Sequence, residues 1–112
     1  MMRFKDTALG RLKYGQMNRT EAKYADKLAF DPEVVWFKFE GIRFRLADNT
    51  NWTPDFAVMK KDRTLEIHEV KGFMRDASNV RMKVAAEMFP FIFKIARLKA
   101  GQWTVDTVGN KE

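Results

Sequence analysis

The spacing of apolar residues changes period repeatedly along this chain, and that change limits what it can fold into. Residues 18–30 follow helical spacing, with Tyr24, Ala25 and Leu28 on one stripe. Asn18 can cap the first turn, Glu21 three residues later completes a capping-box pattern, and Asp31-Pro32 ends the helix. From residue 34 the chain turns to short runs rich in β-branched and aromatic side chains. Residues 34–39 and 42–46 are predicted to pair as a hairpin about Glu40-Gly41, with a loop at 48–51. Residues 55–59 and 64–71 form a second predicted hairpin around a turn at 60–63. Helical spacing returns near 77–89, with Val80, Val84, Ala85 and Met88 as the expected buried stripe; Pro90 stops that helix. A largely buried strand at 91–96 and an edge strand at 103–105 complete an α-β-β-β-β-α-β-β order. This is an α/β domain with one mixed sheet flanked by helices.

At 112 residues the chain is expected to hold one domain, spanning residues 18–112 behind a basic N-terminal arm at 1–17. Ten Phe and three Trp supply a core without staples. Cysteine is absent, which removes disulfides, thiolate nucleophiles and cysteine zinc sites, and fits a reducing, cytoplasmic setting. With His68 as the single histidine, a multi-histidine zinc site is excluded too. Any metal would be held mainly by carboxylates, which favours Mg²⁺ or Mn²⁺. No run approaches the roughly 18 apolar residues of a membrane span. The net charge of +6 attracts polyanions without identifying one.

The most informative stretch is Thr53-Pro54-Asp55-Phe56, followed by Glu66-Ile67-His68-Glu69-Val70-Lys71-Gly72. Strand side chains alternate, so Glu69 and Lys71 share a face, and the tight connection at 60–63 should set Asp55 across from them. Two carboxylates at one point repel unless a cation joins them. Mg²⁺ takes one or two carboxylates and keeps waters, leaving room for a phosphate oxygen. It can polarise a phosphodiester and acidify a water, with Lys71 as a point charge beside the reaction. A surface hairpin with an exposed Glu-x-Lys pair would account for one half of the pattern alone, and Pro-Asp as an ordinary turn signal for the other. The order and separation of the two halves make them specific together.

Pro54-Asp55 followed by Glu69-Val70-Lys71 resembles the signature of the PD-(D/E)xK nuclease superfamily, whose restriction-endonuclease-like core has a similar element order. Glu21-Ala22, Thr53-Pro54-Asp55-Phe56 and His68-Glu69-Val70-Lys71-Gly72 look like small phage-encoded endonucleases, among them the endonuclease I type that resolves branched DNA. The resemblance covers roughly residues 18–99. It implies a Mg²⁺-dependent DNA endonuclease (Mn²⁺ substituting) that leaves 5′-phosphate and 3′-hydroxyl ends, acting in the host cytoplasm if phage-encoded. By the same resemblance Asp55 and Glu69 are metal ligands, the Val70 carbonyl can be a third, and Lys71 is the catalytic lysine. Glu21 matches an acidic residue that some members place on the first helix to help hold the metal. Its capping role stands beside that one.

Around this centre, Arg75, Arg81 and Lys83 are candidate phosphate contacts or else a solvated helix face. Arg43 and Arg45 are weaker candidates. His68 and Glu66 lie on the other strand face, where a satisfied structural histidine and a solvated glutamate are expected. Trp36, Trp52 and Trp103 are expected in packing. Little surface is spare for reading sequence, so recognition of DNA structure is favoured, and cutting two strands would favour a homodimer. Two other classes stay open: a DNA-binding module without turnover, and an adaptor subunit of a phage DNA-processing complex.

Overall fold

The computed structural model describes residues 17–71 and 79–109. The elements in chain order are α1 (Arg19–Phe30), β1 (Val34–Phe39), β2 (Phe44–Ala47), β3 (Thr50–Trp52), β4 (Phe56–Lys60), β5 (Leu65–Lys71), α2 (Asn79–Met88), β6 (Ile92–Lys99) and β7 (Gln102–Thr107). Five strands make one mixed sheet in the order β1-β4-β5-β6-β7, with β5 and β6 parallel and the other neighbours antiparallel. This central sheet between helices is compatible with a restriction-endonuclease-like core. Among the described residues no helix is long and apolar enough to cross a membrane.

Helix α1 begins as the sequence predicts. The Glu21 N–H donates to Asn18 Oδ1 at 2.8 Å, and the Asn18 N–H donates to Glu21 Oε1 at 3.0 Å. At the other end the Asp31 N–H reaches the Leu28 carbonyl and Pro32 prevents continuation. Tyr24, Ala25 and Leu28 are buried against one sheet face with Phe37, Phe39, Phe56, Val58, Val70 and Ala96. On the opposite face Met82, Ala85 and Ala86 of α2 join Phe44, Trp52, Ala57, Ile67, Phe93 and Ile95. Each large apolar side chain buried in these layers contributes about 1.5–3 kcal/mol before entropy is charged against it.

Four expectations need correction. The strands at 34–39 and 42–46 do not form a hairpin; β1 pairs with β4, and β2 pairs with β3 in a separate two-stranded sheet. Phe37 and Phe39 belong to the α1 layer, whereas Phe44 belongs to the α2 layer, so the chain crosses between faces at Glu40-Gly41. The segment at 48–51 is not all loop: Asp48 and Asn49 turn, with Asn49 in the left-handed region (φ 59°), and Thr50 starts β3. The buried face of α2 is not the predicted stripe either. Val80, Val84 and Met88 are 67%, 40% and 49% exposed, and only Ala85 of the expected set is buried. Both stripes have helical spacing, and the face with adjacent Ala85 and Ala86 lets the helix approach the sheet more closely. Finally, Glu66 is buried, 5% exposed, under the α1 layer between His68 and Lys94.

The second predicted hairpin is present as β4–β5, and the edge strand at 103–105 as the centre of β7. Trp52 is buried, while Trp36 and Trp103 pack at the margins of the two cores.

Candidate active site

The β4–β5 ladder pairs Phe56 with His68, so the next step of the register sets Asp55 opposite Glu69. Pro54, fully buried, pins the entry to β4 with its fixed φ. Asp55 is then held on three sides. Its N–H donates to Glu69 Oε1 at 3.0 Å, its Oδ2 accepts the Val70 N–H at 2.8 Å, and its carbonyl accepts the Glu40 N–H at 2.7 Å. Glu40 makes that contact from the left-handed region, at φ 50°. Lys71 Nζ lies 3.5 Å from Glu69 Oε2. The structure thus brings Asp55, Glu69 and Lys71 together at one end of the two central strands, as the register argument required. Glu21 approaches them from α1, near enough for its charge to act on Asp55. One carboxyl therefore caps the helix and faces the site.

Electrostatics mark this corner as unsettled. Burial pushes the Asp55 carboxyl from its ordinary 3.8 up to about 8; the charges of Glu69 and Glu21 add to the rise, against the Val70 N–H. Burial also raises Glu69, although the Asp55 N–H and Lys71 pull it back. Two largely desolvated carboxylates beside the Lys71 ammonium favour a further positive charge. The donors are all oxygens, which suits a hard divalent ion. Among the described residues no three histidine or acidic side chains are placed to hold one ion together, Glu21 being near but not added to the pair, so Asp55 and Glu69 would share such an ion with water, the Val70 carbonyl or a substrate oxygen.

The opposite face of β5 is settled. Tyr24 Oη is 2.6 Å from His68 Nδ1, and His68 Nε2 is 2.8 Å from Glu66 Oε1. Glu66 Oε2 lies 3.4 Å from Lys94 Nζ. Burial lowers the His68 pKa, so the neutral ring accepts the tyrosine proton at Nδ1 and donates Nε2–H to Glu66. Burial alone would raise Glu66, but the His68 hydrogen bond and Lys94 outweigh it and hold the carboxyl low. The histidine is satisfied, as expected. Glu66 is a buried partner rather than a solvated charge, because the α1 layer covers the face it shares with His68.

Arg81 and Lys83 stand exposed on α2, and Arg43 and Arg45 are exposed near the β2–β3 sheet, where Arg45 pairs with Asp48 at 2.7 Å. Arg75 lies outside the described residues, as does the arm through residue 16. One basic residue was missed: Arg97 on β6 stands in register beside Lys71. Its signal was weak in sequence, since only the parallel pairing of β5 with β6 brings it there.

With this geometry in view, two relatives share a segment with the chain. It is 46% identical over 43 residues to the type II restriction enzyme NlaIV of Neisseria lactamica. It is 45% identical over 42 residues to the type II restriction enzyme NgoBV of Neisseria gonorrhoeae. Each match covers 38% of this chain, and only 18% and 24% of the respective relatives. No family model and no solved structure matches. The chain is therefore similar, over part of its length, to a small part of two restriction enzymes.

Proposed function

We propose that this chain is a metal-dependent DNA endonuclease whose active site is Asp55, Glu69 and Lys71, with Glu21 as a fourth member. The observation that carries the reading is the register: Asp55 stands opposite Glu69, its N–H donating to Glu69 Oε1 at 3.0 Å and its Oδ2 accepting the Val70 N–H at 2.8 Å, with the Lys71 ammonium 3.5 Å from Glu69. The partial likeness to two restriction enzymes supports DNA as the substrate class.

In this reading Asp55 and Glu69 hold a Mg²⁺ or Mn²⁺ ion, with the Val70 carbonyl available as a further oxygen donor. When bound, the ion supplies a Lewis acid for the phosphate and lowers the pKa of a water. Lys71 orients the attacking water and neutralises charge that develops on the phosphorus oxygens. Glu21 holds Asp55 in place. Arg97, Arg81, Lys83 and Arg75 contact flanking phosphates, which fix register without reading bases.

The finer reading is a structure-specific enzyme of phage origin acting on branched DNA, with two copies cutting two strands. It rests on the motif resemblance and the small surface. The likeness to restriction enzymes favours a second substrate, plain duplex cut at a sequence. A panel of labelled four-way junction, fork, nicked, single-stranded and duplex DNA, incubated with Mn²⁺, separates them. The parent should cut at least one member, and Glu69→Ala and Lys71→Ala should lose ~10²-fold or more. Absence of cutting across the panel, or full activity in Lys71→Ala, overturns the reading.

A further inference from the structure

We propose that Tyr24 is a positioning residue, whose hydroxyl, through its hydrogen bond to His68, sets the Glu21 carboxyl against Asp55. The inference rests on the nuclease reading above and deepens it.

Tyr24 touches the chain neighbours of both central carboxylates. Its hydroxyl meets His68, next to Glu69, and its ring packs on Phe56, next to Asp55, with centroids 5.7 Å apart. Trp103 of β7 closes on the ring from another side, at 4.9 Å. Glu21 lies three residues earlier in α1, on the same side of the helix and about 4.5 Å along its axis. A shift of α1 therefore moves Tyr24 and Glu21 together.

Apolar packing through Ala25 and Leu28 resists separation of helix and sheet but is non-directional, so it controls sliding and rotation weakly. A 2.6 Å hydrogen bond is directional, and here its acceptor is itself held by Glu66, which is held by Lys94. A buried polar chain of this kind adds little net stability over an apolar replacement. What it adds is a defined seat for the first turns of α1, where Glu21 has to meet Asp55.

The test is a double-mutant cycle read in Mn²⁺ affinity, by calorimetry on the full chain without DNA. Tyr24→Phe keeps the ring and should weaken Mn²⁺ binding about tenfold. In a Glu21→Gln background the same change should alter affinity less than about twofold, because its route is already cut. His68→Asn, which keeps an acceptor near the Nδ1 position, should bind Mn²⁺ within about threefold of the parent. His68→Gln, which reaches toward Glu66 instead, should match Tyr24→Phe. A Tyr24→Phe protein that melts earlier but binds Mn²⁺ like the parent overturns the proposal, as does an equal loss in both backgrounds. A parent that neither binds Mn²⁺ nor cuts DNA overturns the nuclease reading itself, and this proposal with it.

Discussion

Asp55 occupies a costly position: a carboxylate taken largely out of water, facing two others, with hydrogen bonds that only partly compensate. Such an acid binds its proton more tightly in the folded than in the unfolded chain. Its stabilising contribution is full below the ordinary 3.8 and is lost as pH rises through about 8. Without divalent ions, Asp55→Asn should therefore melt higher than the parent at pH 8, by roughly 4–8 °C, and at about the same temperature at pH 4. Thermal melts at the two values check this, and a parent that is the more stable at pH 8 contradicts it. Because an ion held by Asp55, as proposed, would have to displace that proton, Mn²⁺ affinity of the parent should rise with pH up to about 8, by as much as tenfold per unit. Calorimetric titrations across that range would show it; a flat profile would mean that the carboxyls are already ionised. The trio itself was readable from the sequence because a hairpin with a short turn turns chain order into geometry. Arg97 was not, since its place beside Lys71 depends on a parallel pairing across an intervening helix.

Among the elements, α1 and the β4–β5 hairpin were legible because their signals are local: a capping box, a proline, a tight turn between alternating runs. The misread elements were those decided by distant partners. Residues 34–46 satisfy every local rule for a hairpin, yet Phe39 and Phe44 bury in opposite layers, which no local rule reveals. Glu66 looked solvated because nothing nearby in sequence announces that the α1 layer will cover its face and that Lys94 will pair with it. In α2 two apolar stripes compete, and the sheet takes the one bearing small residues. The choice is measurable. Met82→Ala should cost about 2–4 kcal/mol in urea melts, and Val84→Ser less than about 1 kcal/mol. The reverse order would return Val84 to the core.

On the scale of the whole molecule, the charge of +6 bears on binding more than on folding. Phosphate contacts release counterions, so DNA affinity should fall steeply with salt. Arg97→Gln should weaken binding of junction and duplex about equally and reduce the slope of log affinity against log salt by about 1. An effect confined to one DNA form would assign Arg97 to recognition of shape instead. The sheet that carries this site also guards it. Strand β5 presents Glu66 and His68 toward one layer and Glu69 and Lys71 toward the other, and the two sets have different partners: Tyr24 and Lys94 for the first, the Asp55 N–H for the second. A slip of one residue would exchange the sets, pressing Glu69 and Lys71 under α1 and turning His68 away from Tyr24. Mispairing is thus penalised on both faces at once, and a copy that paid the penalty would also be disarmed. The register that satisfies both faces is thus the one that assembles the proposed site, and a mispaired molecule would lack it.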